Sequence, residues 1–183
     1  MDFVRPTRPV ALSLVSGRGH YDSVIQAVMA AEHSVWIATA NLKDLHVVRG
    51  KRARPLLAHF SSLAEKGVGI RILYASEPSS PFKRSFDKYP NLVRGAVEMQ
   101  PCLRIHCKIV IVDGALAYVG SANLTGAGLG AKSDRRRNFE AGVLTRETGE
   151  IRRIMDYFDA LWMGAGCDDC GLKGECEEPI RGV

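Results

Sequence analysis

The sequence lacks any apolar run that approaches the roughly 18 to 20 residues a helix needs to cross a bilayer. Its cysteines number five, an odd count, so a fully paired disulfide framework is not expected and a reducing compartment fits better. Aromatic residues make up only 7% of the chain and form no platform, interleaved with basic residues, for stacking single-stranded bases. These absences favour a cytoplasmic globular protein.

The composition that remains is balanced, with an excess of basic charge. The chain has 183 residues, of which 46% are hydrophobic and 25% are charged, which is enough for one domain with its own core. The formal net charge is +5. Such a charge favours polyanionic partners, either nucleic acid or an acidic membrane surface.

Hydrophobic periodicity alternates along the chain between the pattern of strands and that of helices. It predicts strands at 10–15, 34–40, 68–74, 96–101, 106–112, 115–120 and 138–144, and helices at 21–32, 55–66 and 148–163. Residues 79–95 are rich in Pro, Ser, Lys and Arg and predict a loop or a short helix. This order indicates an α/β sandwich with a mixed sheet, followed by a small appendage rich in Gly, Cys and acidic residues.

The segment 106–123 carries the residues with recognisable chemistry. His106 is a potential nucleophile, Lys108 is a permanent cation, and Ser121 and Asn123 are small polar side chains. Together they suit an attack on a phosphate diester. The arrangement occurs once in the chain, and the sequence has no internal repeat.

An Asp-Gly dipeptide at 113–114 lies between two apolar runs, which predicts a two-residue hairpin turn. Counting back from that turn places Lys108 opposite Val119 and His106 opposite Ser121. Because side chains alternate along a strand, His106 and Lys108 share one face. Asp113 itself is interpreted first as a turn residue and only second as a catalytic one.

The segment resembles the HxKx4Dx6GSxN motif of the phospholipase D superfamily, and every defining position of that motif is present. Residues 21–28 and 138–143 resemble the pieces that flank the motif, so the similarity extends over 10–162. The resemblance implies an α-β-α sandwich with a mixed central sheet, a catalytic domain over 1–166 and a Cys-rich tail over 167–183 outside the family pattern. With one motif in a short chain, the sequence is most similar to the small bacterial nucleases of the superfamily.

The resemblance also implies a mechanism with two histidines and no catalytic metal. One histidine attacks phosphorus to form a phosphohistidine, and another protonates the leaving oxygen and later activates water. The other four histidines lack a companion lysine. We therefore expect a homodimer in which two copies of His106 meet across a two-fold axis.

The family pattern assigns roles to the other motif residues. Lys108 and Asn123 would stabilise charge that grows on the phosphate, and Ser121 would support the phosphate pocket or orient the histidine. Glu140 would accept from the imidazole and fix its tautomer, or would instead form an ion pair with an arginine at 135–137. Asp113 completes the set of motif residues.

Two dense basic runs, 49–54 and 132–137, are candidates for contact with a polyanionic substrate, although solvated loops are a common alternative. The candidate substrate-binding residues are Arg52, Lys132, Arg135, Arg136 and Arg137. The function expected is endonuclease-like hydrolysis of nucleic acid. The alternatives are hydrolysis or transfer on an anionic phospholipid and, less favoured, a catalytically silent nucleic-acid-binding module.

The tail contains Cys167, Cys170 and Cys176, a spacing that is typical of a metal clip with one ligand missing. Cys102 or Cys107, from the same or the other subunit, would complete a structural zinc site or an iron-sulfur site. Thiols that stay flexible and oxidise or pair are the alternative.

Overall fold

The computed structural model describes residues 9–49, 52–130 and 132–176. Its centre is a mixed sheet of seven strands in the order β1-β9-β8-β7-β2-β5-β6, and a separate hairpin joins β3 to β4. The strands are β1 Ser13–Ser16, β2 Ser34–Thr39, β3 His46–Arg49, β4 Arg52–Pro55, β5 Gly69–Tyr74, β6 Val97–Pro101, β7 Lys108–Val112, β8 Leu116–Gly120 and β9 Ala141–Thr145.

Helices cover both faces of the sheet. They are α1 Gln26–Met29, α2 Leu56–Glu65, α3 Ser80–Phe86 and α4 Thr148–Trp162, with π-helical turns at His20–Ile25 and Leu92–Ala96 and a 3-10 turn at Asp134–Arg136. One core cluster joins the sheet to the helical segments 20–29, 56–65 and 80–96, and a second joins the opposite face to α4. The result is the predicted α-β-α sandwich.

The central strand β7 is buried along its whole length, because helices cover both of its faces. Val110 and Val112 pack into the first cluster, whereas Ile109 and Ile111 pack into the second beside Phe158 of α4. Burial on both sides makes this strand a rigid support for the residues at its start.

The predicted register of the β7–β8 hairpin is wrong by one residue. Val112 pairs with Leu116, and Lys108 pairs with Gly120 instead of Val119. Asp113 and Gly114 do form a tight turn, with φ values of 53° and 59°, and the Ala115 N–H closes it on the Val112 carbonyl at 2.9 Å. The shift arises because position 115 adds an unpaired residue to the β8 side, as a bulge does.

Two further expectations need correction. The strand predicted at 138–144 begins only at Ala141, so Glu140 precedes the strand. The β3–β4 hairpin was missed because its tip is charged and β4 is exposed at Arg52 and Arg54. Residues 50 and 51 at the hairpin tip lie outside the described part of the chain.

The loops that carry polar residues meet at one edge of the sheet, which we call the site edge. β7 and β9 begin at this edge, and β1, β2 and β8 end there. The pairing of the strands shows this, because Lys108 pairs with Gly120 and Gly120 pairs with Gly142. The start of β7 also lies beside the end of β2. β5 and β6 run parallel to β2, so their carboxyl ends also reach this edge.

Candidate active site

Lys108 is the first residue of β7 and is 7% exposed, although its neighbours on the strand are all apolar. Its ammonium group donates to the backbone carbonyl of His106 at 2.5 Å. An ammonium has three donors, so this bond leaves two for other partners. Because a buried lysine is costly, its position at the start of a rigid strand indicates a role that offsets the cost.

His106 precedes β7 by two residues and is exposed. Its imidazole makes no hydrogen bond to another residue in the part of the chain that the structure describes. The backbone of the same residue is held by Lys108, and the preceding Ile105 is buried, with its N–H bonded to the Cys102 carbonyl at 2.9 Å. The imidazole is therefore carried on a fixed backbone while its ring stays accessible.

Asn123 is oriented by the end of β2. Its side-chain oxygen accepts from the backbone N–H of Asn41 at 3.1 Å. The Thr39 hydroxyl lies 3.3 Å from the same oxygen, and its shorter bond, at 2.9 Å, goes to the Asn41 carbonyl. The Thr39 oxygen in turn accepts from the Leu124 N–H at 3.0 Å. These bonds occupy the amide oxygen, so the NH2 group is the part of Asn123 left to donate to a ligand. Sequence reasoning missed Thr39 and Asn41, whose only signal was polarity at a strand end.

Ser121 and Glu140 form a direct pair. The Ser121 hydroxyl donates to one carboxylate oxygen of Glu140, and Asn138 donates to the other at 3.1 Å. The Ala141 N–H donates to the Ser121 oxygen at 3.1 Å, which fastens this pair to the start of β9. Both oxygens of Glu140 are thus engaged within its own loop, and its predicted bond to an imidazole stays a prediction.

Asp113 does not belong to this cluster, which corrects its inclusion among the catalytic residues. It follows the far end of β7, roughly 14 Å or more from Lys108 at about 3.4 Å per strand residue. Its carboxylate accepts from the backbone N–H groups of Glu32, His33 and Ser34 at 3.0, 2.7 and 2.8 Å. Burial alone would raise the pKa of Asp113, but these three donors outweigh it and hold the pKa below its ordinary value.

The predicted basic residues fall in two places. Arg135 and Arg136 are exposed on the 3-10 turn, and Lys132 is exposed with its alkyl chain beside Gly126. Arg137 is half-buried and donates to the Gly130 carbonyl at 2.6 Å, so it orders the glycine-rich loop. Arg52 is exposed on β4, in the separate hairpin.

A second histidine, His20, lies in the core behind the site and was missed as a neighbour of it. Its Nδ1 donates to the Gly17 carbonyl at 3.1 Å, and its ring meets the buried Tyr118 edge-on at 5.4 Å between centroids. Burial, the largest influence, lowers the pKa of His20, while the nearby Glu140 opposes the shift and Arg137 adds to it. A neutral, enclosed imidazole supports the site but cannot meet a substrate there.

A cavity of about 380 Å³ lies beside His106. Arg104, Tyr157 and Gly166 line it together with Cys107 and two cysteines of the tail. The segment that follows α4 therefore forms one wall of the space next to the candidate nucleophile.

The family model for the PLD-like domain of cardiolipin synthases matches residues 24–162, most of the chain. The chain belongs to the phospholipase D superfamily. Its relatives include the probable cardiolipin synthase YwiE of Bacillus subtilis, which is 27% identical over 142 residues, or 75% of this chain and 26% of that protein. This superfamily member thus spans about a quarter of the length of the cardiolipin synthases it matches.

Solved structures of the superfamily share the fold. NucT from Helicobacter pylori superposes with a TM-score of 0.62 at 21% identity, covering 84% of this chain and 96% of NucT. Nuc from Salmonella typhimurium, a phospholipase D family member, superposes with a TM-score of 0.58 at 14% identity, covering 84% and 95%. The predicted family and architecture are confirmed. Within the described ranges, no helix has the length and apolar content that a bilayer crossing requires.

Proposed function

We propose that this superfamily member is a phosphodiesterase that cleaves nucleic acid through a covalent intermediate on His106. The observation that carries the proposal is the pairing of an accessible imidazole with a buried ammonium group that is bonded to the backbone of the same histidine. Asn123 and the Ser121–Glu140 pair lie at the same edge of the sheet. A binding module would not need a lysine kept out of water beside an exposed histidine.

The proposed reaction balances over two displacements. An imidazole nitrogen of His106 attacks phosphorus, the bond from phosphorus to the leaving oxygen breaks, and a second imidazole gives that oxygen its proton. Water then attacks the phosphohistidine, the second imidazole takes the proton from water, and the P–N bond breaks. Lys108 and the amide of Asn123 donate to the non-bridging oxygens, where negative charge grows in both transition states.

The second imidazole in this proposal is His106 of another copy of the chain. Among the described residues no other histidine lines the cavity beside His106, His33 lies at the opposite edge of the sheet, and His20 is enclosed. An apolar strip of three paired residues supports self-association. Leu14 of β1 pairs with Val143 of β9, and Val143 pairs with Val119 of β8. Leu14 is 78% exposed and Val119 is 36% exposed. Such a strip near the site edge suits an isologous contact between two copies.

Nucleic acid is favoured as the substrate by charge and by size. Exposed Lys132, Arg135 and Arg136 flank the site on the loop that ends at Glu140, where they can track a phosphate backbone. Phe139, fully exposed in that loop, offers a ring for base stacking. This chain matches nearly the whole length of Nuc and NucT. Phospholipid is the second candidate, because the family model and the sequence relatives are cardiolipin synthases.

The substrate is tested by incubating the purified chain with DNA, RNA and anionic phospholipid vesicles in the presence of EDTA. We expect cleavage of nucleic acid that is lost in His106→Ala and retained in His33→Ala, a matched control at the opposite edge. Nucleic-acid binding should survive in His106→Ala, whereas a silent binding module would show binding without cleavage in every variant. Turnover of lipid alone would contradict the nuclease assignment, and cleavage only with added metal would contradict the mechanism.

The shared site is tested by mixing subunits. If each site needs two copies of His106, an equal mixture of wild type and His106→Ala, after exchange, should retain about a quarter of the wild-type activity per total chain, because about a quarter of random dimers are fully wild type. Independent sites would retain half. Acid quenching during turnover should leave no phosphate on the protein, whereas alkaline quenching should preserve a phosphohistidine adduct at residue 106.

A further inference from the structure

The segment after α4 folds back onto the domain although it has almost nothing apolar to bury. Residues 164–176 contain one large hydrophobic residue, Leu172, and successive turns whose N–H groups bond to carbonyls three to five residues earlier. The segment is tied to the domain where Arg104 donates to the Gly166 carbonyl at 3.4 Å. Just before it, Gln100 donates to the Trp162 carbonyl at the end of α4 at 3.0 Å. A chain of this composition needs a cross-link or a metal to hold one conformation.

Four cysteines surround one small cavity at this contact. Cys102, Cys167, Cys170 and Cys176 all line a space of about 30 Å³, and all are free thiols. Burial raises the pKa of Cys102 most, and the other three thiols lie close enough to raise it further. Cys107 lines the neighbouring cavity beside His106 and is absent from this one.

We propose that Cys102, Cys167, Cys170 and Cys176 of one chain form a tetrathiolate site for a single zinc ion, which fastens the C-terminal segment to the catalytic domain. Cys102 is the fixed ligand, because its N–H bonds to the Tyr74 carbonyl at 2.8 Å at the end of β5. The other three come from the segment of turns. The Cys-x2-Cys spacing suits closed tetrahedral sites.

The charged side chains around the space suit a single divalent ion with four thiolate ligands. Four thiolates around a divalent ion leave two negative charges. Arg104 and Lys173 line the same cavity and supply two positive charges beside them.

The thiols must turn inward when the ion binds. No group of three His, Cys, Asp or Glu side chains within residues 9–49, 52–130 and 132–176 already stands around a common point as a metal site would. Cysteine has one rotatable bond between its backbone and sulfur, so little ordering is required once the segment has docked. Since the segment also lines the cavity beside His106, the ion would fix one wall of that space.

The test measures metal content of the full chain, purified under reducing conditions, by mass spectrometry of the elements. We expect about one zinc per chain, a loss of at least tenfold in Cys102→Ser and Cys176→Ser, and full content in the matched control Cys107→Ser. Replacing zinc with cobalt should give the thiolate charge-transfer bands of a tetrahedral site. After chelation, the thiols that react with a colorimetric reagent should increase by four in wild type.

Several results would overturn the proposal. They are a Cys102→Ser variant that keeps its zinc, a reduced wild-type chain that neither retains nor takes up zinc or cobalt, and iron with inorganic sulfide in place of zinc. Mass spectrometry showing native disulfides among these four cysteines would also overturn it. Cys176→Ser lies at the end of the described chain, so the test survives if Cys102→Ser does not fold.

Discussion

Replacing Lys108 by methionine separates the cost of this side chain to folding from its value to catalysis. Methionine keeps the length and approximate volume of the lysine stem but removes the charge. The side chain is 7% exposed within a strand whose other residues are apolar. We expect Lys108→Met to fold at least as stably as the wild type while losing nearly all activity.

The expected change in the free energy of unfolding follows from the hydrogen bond that the Lys108 ammonium gains on folding and the hydration that it loses. A hydrogen bond to a charged group contributes about 1.5–3 kcal/mol, and here it is the bond to the His106 carbonyl. Desolvation of a charge costs several kcal/mol, and replacing buried charges by apolar groups of similar volume is often neutral or stabilising by about 1–4 kcal/mol. Because His106 is exposed, water can satisfy its carbonyl in the variant. The expected change is a gain of about 0–2 kcal/mol.

The same substitution should lower the catalytic rate. Removing one preorganised donor from a charge that grows in the transition state costs about 2.7–4 kcal/mol, which corresponds to about 10²–10³ in kcat. A permanent cation held out of water should lie at the upper end of that range, since its interaction with phosphate is weakly screened.

The assay pairs urea unfolding with hydrolysis of a chromogenic phosphodiester by the same preparations. Lys66→Met is the matched control, because Lys66 is exposed at the end of α2 and should change neither quantity. A Lys108→Met variant that is destabilised by about 2 kcal/mol or more would show that Lys108 serves the fold. A variant that keeps its activity would refute its role on the phosphate.

Two further predictions concern the support of the site. Asp113→Asn should destabilise the chain by about 1–3 kcal/mol near neutral pH, because three backbone donors then lose a charged acceptor. The folded-state pKa of Asp113 lies below its unfolded value, so the carboxylate stabilises the fold above about pH 4 and this stabilisation is lost as pH falls through the folded pKa. Urea unfolding near pH 3 should therefore show a smaller difference in stability between wild type and Asp113→Asn. A difference that does not change with pH would contradict this. Gly142→Ala would place a Cβ 2.4 Å from the Tyr118 ring and should cost at least about 1–3 kcal/mol. In a Tyr118→Leu background the same change should cost less, and strict additivity in thermal unfolding would refute the contact.

The motif could be found from the sequence because its chemistry is local. Lys108 begins a segment that periodicity places in a buried strand, and His106 lies two residues before that strand. The register of the hairpin could not be predicted from the sequence. Asp-Gly is typical both of a two-residue loop and of a three-residue loop in which one more residue follows the turn. Only the pairing of Lys108 with Gly120, whose lack of a side chain leaves room for Tyr118, shows which alternative the chain adopts.

The orientation of the site residues was less predictable than their identity. Asn123 is held by Thr39 and Asn41, which are brought to it by an isolated parallel bridge between Leu42 and Leu124. Glu140 is held by Ser121 and by its own loop. Spacing along the chain carries no information about contacts of this kind, because they depend on which strand ends share an edge.

For the cysteines, spacing along the chain identifies three of the proposed ligands, and the fold identifies the fourth. Cys167, Cys170 and Cys176 could be identified as a group because a metal clip draws most of its ligands from one short segment. The remaining ligand could not, since Cys102 and Cys107 are equally plausible from the sequence. The fold distinguishes them: Cys102 follows the end of β6 and lines the small cavity with all three tail thiols. Cys107 is absent from that cavity and lines the one beside His106, together with Cys102, Cys167 and Cys170. A substitution at each position therefore tests which of the two thiols joins those of the tail.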